Sequence, residues 1–102
     1  MMTLKLHFKN VAEEKKDAMT KLAEAKLEDL GHFFPKDLSE DMLQSHCDIE
    51  ESSKTPFYTV HTRITIKQGK EIHYEATEKH DHFETALNMV KDTIRNQIAQ
   101  RK

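Results

Sequence analysis

The chain has 102 residues, 36% hydrophobic and 33% charged, which suits one domain built around a single economical core. Two glycines and two prolines exclude collagen-like and low-complexity structure, and a lone cysteine excludes a disulfide framework or a cysteine-based zinc finger. The net charge of −2 does not announce a nucleic-acid binder, whose domain is more often clearly basic.

Residues 3–9 alternate, with Leu4, Leu6 and Phe8 on one side and Lys5, His7 and Lys9 on the other. That is the pattern of a half-buried strand. Over residues 13–33 the period becomes helical: Ala18, Met19, Leu22, Ala23, Leu27 and Leu30 form the apolar stripe. Gly31 is expected to cap this helix, Phe33 and Phe34 to return to the core, and Pro35 to block continuation. Residues 36–42 read as an acidic connection.

A second strand begins at Leu43, with Leu43, Ser45, Cys47 and Ile49 inward and Gln44, His46, Asp48 and Glu50 outward. Residues 51–56 read as a loop. Tyr58, Val60, Thr62, Ile64 and Ile66 then alternate with Phe57, Thr59, His61, Arg63 and Thr65 in a strand rich in β-branched residues. Residues 68–70 form a tight turn, and a fourth strand places Ile72, Tyr74 and Ala76 inward and His73, Glu75 and Thr77 outward. Residues 79–82 link to a last helix whose buried stripe is Phe83, Ala86, Leu87, Val90, Ile94 and Ile98, with Glu84, Asn88, Lys91, Asp92 and Arg95 outside.

The expected fold class is therefore α+β in the order β-α-β-β-β-α. It is a four-stranded mixed sheet with two helices packed on one face, like a double-stranded-RNA-binding domain. The first two strands are parallel if adjacent, joined by a right-handed helical crossover, and the last three are antiparallel. The other face of the sheet is left to water or a partner. No apolar run approaches the ~18–20 residues of a membrane span. The N-terminus lacks a signal-peptide core. A soluble, cytoplasmic protein with no membrane partner is expected, and Cys47 fits a reducing compartment.

Charge is unevenly spread. Residues 1–36 hold 7 basic and 6 acidic side chains, residues 37–56 hold 1 and 6, and residues 57–102 hold 8 and 6. Lys15, Lys16, Lys21, Lys26, Lys91, Arg95, Arg101 and Lys102 are the candidate RNA-phosphate contacts, since phosphate binding needs only correctly placed cations. The competing reading is a solvated helix face, with cations interspersed among glutamates. No strand carries the aromatic set that stacks bases.

The order of elements, together with residues 79–88, Lys-His-Asp-His-Phe-Glu-Thr-Ala-Leu-Asn, resembles the ribosome hibernation promoting factor and ribosome-associated inhibitor family, also called sigma-54 modulation proteins. The similarity lies in an acidic-aromatic approach to the last helix followed by a small-Ala-aliphatic-Asn step. Residues 18–30 are similar to the family's first helix, and the likeness covers nearly the whole chain as one domain of the short form, with no C-terminal extension. The resemblance implies a cytoplasmic bacterial stress factor. It would bind the ribosomal RNA channel of the small ribosomal subunit, inhibit translation and promote hibernation, without enzymatic activity or cofactor. Lys26 stands where the family's first helix carries a basic residue. Thr20, Asp29, Thr93, Asn96 and Gln100 stand where basic residues are common, and this motivates the alternative: a diverged protein-interaction or self-associating module, a weak homodimer, without ribosome binding.

A third reading comes from the histidines. By strand parity His7, His46, His61 and His73 all face outward, which suits either a metal site or a pH-responsive surface. Exposed polar sheet surface is the plainer alternative. His80 and His82, with Asp81 between them, are a second such cluster, read otherwise as the loop that starts the last helix. No metal site is expected. Cys47 has inward parity and reads as a buried, inert thiol, while Ser45 and His46 lie on opposite faces and cannot pair for nucleophilic catalysis. Asp48, Glu50 and Glu51 form an acidic edge suited to solubility, edge protection or a protein partner.

Overall fold

The computed structural model describes residues 3–34, 43–52, 54 and 57–100. Its elements are β1 (Thr3–Lys9), α1 (Glu13–Glu28), β2 (Leu43–Glu51), β3 (Tyr58–Gln68), β4 (Lys70–His80) and α2 (Phe83–Gln100). A 3-10 turn, Asp29–Phe33, follows α1. The sheet order is β1-β2-β3-β4. β1 pairs with β2 in parallel, and β2–β3 and β3–β4 are antiparallel. The α+β fold read from the sequence is the fold observed.

Local chemistry explains the turns. Asn10 adopts a positive φ of 59°, a conformation asparagine tolerates better than most residues, and it turns the chain from β1 toward α1. Glu13 and Glu14 lie in the first turn of α1 and Lys26 in the last, each complementing the helix dipole. Gly69 alone separates β3 from β4, at φ +76°, where a side chain would be strained.

The core lies between the helices and one face of the sheet. All six residues expected on the inner stripe of α2 are buried, as are Leu43, Ser45, Cys47 and Ile49 on β2. α2 packs chiefly on β3 and β4, whereas α1 touches β1 only lightly. Leu4, Leu6 and Phe8 are accordingly half-buried. Among the described residues, no buried side-chain nitrogen or oxygen lacks a hydrogen-bond partner.

Several expectations are corrected. α1 ends at Glu28, and Gly31 lies inside the 3-10 turn; the cap is Asp29 in right-handed conformation, its N–H bonded to the Leu27 carbonyl. Phe34 is buried at 7% exposure, but Phe33 is 40% exposed, because the tighter 3-10 period cannot turn both neighbouring rings inward. Ala18 is exposed, lying at the edge of a stripe whose centre runs through Met19, Ala23 and Leu27. Thr65 has outward parity yet is only 7% exposed, its hydroxyl meeting His73 Nδ1 at 3.0 Å. β4 continues to His80, since its pairing with Tyr58 extends the ladder through residues expected to be a link. Glu51 ends β2, and the Ser52 N–H donates to the Phe57 carbonyl at 2.9 Å, closing the loop that follows. Pro35, the connection 36–42 and part of the loop 51–56 lie outside the described residues.

Candidate nucleic-acid interface

The candidate cations sit on the helix side of the sheet. Tyr58 marks where both helices begin: the Lys15 ammonium lies 5.9 Å from its ring centroid, and the Phe83 ring packs edge-on at 6.1 Å. Lys15 also donates to Glu51 Oε1 at 3.1 Å and to the Tyr58 hydroxyl at 3.4 Å. The hydrogen bond to Glu51, then that to Tyr58, holds the Lys15 ammonium charged to higher pH than usual. Lys16 pairs with Glu13 at 3.0 Å and lies 5.8 Å from the Phe8 ring centroid.

At the other end of α1, Lys91 reaches from α2 to Asp29 at 3.0 Å and keeps only 21% of its side chain exposed. It was expected to project freely beside Arg95. Instead the approach of the two helices hands it a carboxylate. Arg95 pairs with Asp92 one turn away, at 3.3 Å. Lys21 is exposed and Lys26 half-buried, and neither forms an ion pair among the described residues. Arg101 and Lys102 lie outside those residues. The Lys91–Asp29 pair draws Lys91 to the seam between the helices, about 20 Å along α1 from Lys15 and Lys16 near its start.

The opposite face carries the histidines. Strand register sets them in rows across the sheet: Lys5, His46, Arg63 and Glu75 in one, His7, Asp48, His61 and Thr77 in the next. Asp48 lies between two imidazoles, 3.9 Å from His7 and 3.5 Å from His61. His61 Nε2 meets Glu75 Oε1 at 2.9 Å, and Arg63 Nε lies 3.9 Å from the other Glu75 oxygen. The Glu75 contact is the main cause that raises the His61 pKa, with Asp48 adding to it and partial burial opposing; the same contact lowers the Glu75 pKa. His73 pairs with Glu71 at 3.0 Å. Before α2, His80 Nδ1 lies 2.8 Å from Asp81. Among the described residues no three histidine, cysteine, aspartate or glutamate side chains are placed to hold a metal ion.

Some contacts have no sequence signal. Gln97 on α2 accepts from the Glu75 N–H at 3.1 Å and donates to its carbonyl at 2.8 Å, closing the free edge of β4 at that residue. Its polar side chain within an amphipathic helix reads as solvated surface. The Cys47 thiol is buried as expected; burial pushes its pKa to about 11, and the Thr62 hydroxyl donates to its sulfur at 3.5 Å. No helix among the described residues is long and apolar enough to cross a membrane.

Two solved structures share this fold over essentially their whole length. The N-terminal domain of Thermus thermophilus Protein Y matches with a TM-score of 0.76 at 18% identity, covering 100% of both chains. A ribosomal subunit interface protein from Coxiella burnetii matches with a TM-score of 0.67 at 16% identity, covering 99% of this chain and 97% of that one. No curated protein matches the sequence significantly. The family model described as Sigma 54 modulation protein / S30EA ribosomal protein matches residues 4–102, and with that match over the full sheet and both helices the chain belongs to that family.

Proposed function

We propose that this protein is a ribosome-associated factor. In this reading it docks on the small ribosomal subunit through its helix face, occupies the ribosomal RNA channel and inhibits translation, promoting hibernation under stress. Family membership over residues 4–102 carries the reading. The Coxiella burnetii neighbour, a ribosomal subunit interface protein, agrees with it. Lys21 and Lys26 are the cations best placed to meet phosphate, because no carboxylate among the described residues already holds them. Lys15, Lys16, Lys91 and Arg95 would have to exchange carboxylate partners for phosphate.

Sucrose-gradient sedimentation of stationary-phase lysate tests the reading. Co-migration with small subunits or whole ribosomes is expected, weakening steeply with salt because counterions released into a saltier solution gain less entropy. A Lys21→Glu, Lys26→Glu double variant should leave the ribosomal fractions. A protein that stays at the top of the gradient favours a second reading, a protein-interaction or self-associating module. The observation behind that reading is that four of the six described candidate cations already sit beside carboxylates.

A further inference from the structure

The open face of the sheet is nearly neutral when its histidines are neutral. Among the described residues its outward positions hold five cations, Lys5, Lys9, Arg63, Lys67 and Lys79, and four carboxylates, Asp48, Glu50, Glu71 and Glu75. The same positions hold four imidazoles, His7, His46, His61 and His73. Full protonation takes the formal charge of this face from +1 to +5. Imidazole is the side chain that makes this change between about pH 5 and 8.

We propose that the open face is a proton-gated docking surface for the phosphate backbone of RNA, closed while these histidines are neutral and open once they are protonated. It lies opposite the helix face and does not depend on that face binding RNA.

Register gives the gate its geometry. His46 stands directly between Lys5 and Arg63, on neighbouring strands spaced ~4.8 Å apart, so its protonation completes a row of three cations about 10 Å long. Gln44 and Asp48 flank it along β2. His7 faces Asp48, with Lys5 and Lys9 on either side along β1. His61 faces Asp48 and Glu75, with Thr77 directly opposite, and His73 faces Thr65 and Glu71. Protonating His7, His61 and His73 therefore neutralises the carboxylates that would repel a phosphate, while protonating His46 adds an uncompensated cation. An anion laid along the Lys5–His46–Arg63 row favours the protonated imidazole, and by reciprocity protonation favours the anion. The Glu75 contact, with Asp48 adding to it, raises the His61 pKa, so this imidazole holds its proton to higher pH than an isolated one.

The chemistry selects a phosphate backbone over other anionic partners. A protein partner needs a desolvated apolar centre. A bilayer needs apolar side chains to insert. Among the described residues the open face offers one exposed large apolar side chain, Phe57, and the Lys79 ammonium lies 5.2 Å from its ring centroid. The Thr59 and Thr77 hydroxyls supply neutral donors between the charges.

The test measures binding of fluorescein-labelled polyuridine, ~20 nucleotides long, by anisotropy at constant ionic strength. Affinity should rise tenfold or more between about pH 7.5 and about pH 5.5, with protons taken up on mixing in weak buffer. Replacing His7, His46, His61 and His73 together by Gln should bring the affinity ratio between the two pH values close to one. His46→Gln alone, at an exposed position, should reduce it and lower proton uptake, which keeps the test decisive if the quadruple variant does not fold. His46→Lys should strengthen binding at neutral pH without acid. An acid increment that survives the His→Gln changes overturns the proposal, as does acid-induced binding to phosphatidylserine vesicles but not to RNA. Failure of the helix-face reading appears separately, as loss of sedimentation with ribosomes near neutral pH.

Discussion

Lys91, in the middle of α2, and Asp29, just past the end of α1, meet at 3.0 Å and tie the two helices together across the seam where they pack. Sequence spacing alone makes Lys91 a free surface cation, whose reversal would leave the thermal midpoint nearly unchanged. The pair changes that expectation. Lys91→Glu places two carboxylates together and should destabilise by about 1 kcal/mol. For a domain of this size that lowers the midpoint by roughly 4–8 °C. Adding Asp29→Lys should restore the midpoint while reversing the local charge pattern, so calorimetry of the two variants separates folding from any effect on ribosome binding.

His61 makes stability depend on pH in a defined sense. Its pKa is raised in the folded state by Glu75 and Asp48, so its contribution is fully present below the ordinary value of 6.5 and is lost as pH rises through the raised value. Glu75 titrates the other way: its part of the same contact is present above the ordinary 4.5 and is lost as pH falls through the lowered value. The difference in midpoint between the parent and His61→Gln should therefore be greatest between about pH 4.5 and 6.5. It should shrink on either side of that window.

Gln97→Ala removes both hydrogen bonds to the Glu75 backbone and reopens the edge of β4 there. A loss of about 1–2 kcal/mol is expected, with faster amide exchange at Glu75. Concentration-dependent sedimentation should also appear, since an uncovered edge strand pairs with other chains.

Cys47 should resist thiol reagents in the native protein, because its pKa of about 11 leaves almost no thiolate at neutral pH and the residue is buried. Titration with a chromogenic disulfide should show negligible reaction until denaturant is added, then one thiol per chain.

Ile94→Asp buries an unpaired carboxylate at a fully enclosed core position and should abolish cooperative unfolding. Ile94→Val should cost only about 1 kcal/mol, the mark of a small cavity.

Periodicity made the faces legible. The α2 stripe from Phe83 to Ile98, the inward set of β2 and the outward histidines were all readable, because burial imposes a period of 3.6 on a helix and 2 on a strand. Partners were not readable. That His61 stands beside Asp48 and Glu75, or Lys91 beside Asp29, depends on strand register and helix approach, which no local pattern encodes. The end of α1 departs from its sequence signal for a related reason. Gly31 signals a stop, but the backbone tightened two residues earlier, and that shift decided which of Phe33 and Phe34 reached the core. Charge and an exposed stripe alone mark the candidate cations in the sequence, so their competition with local carboxylates leaves no signal there.

The light cover of α1 over β1 bears on the order in which the chain assembles. From Leu43 to Gln100, each strand pairs with the one before it and α2 closes over β3 and β4, so that unit needs only nearby partners. β1 must wait for β2, which lies beyond the whole of α1, and Leu4, Leu6 and Phe8 gain only partial shelter when it docks. During synthesis the strand made first is therefore the last to be secured, and in the finished protein its amides should be the first of the sheet to exchange with solvent.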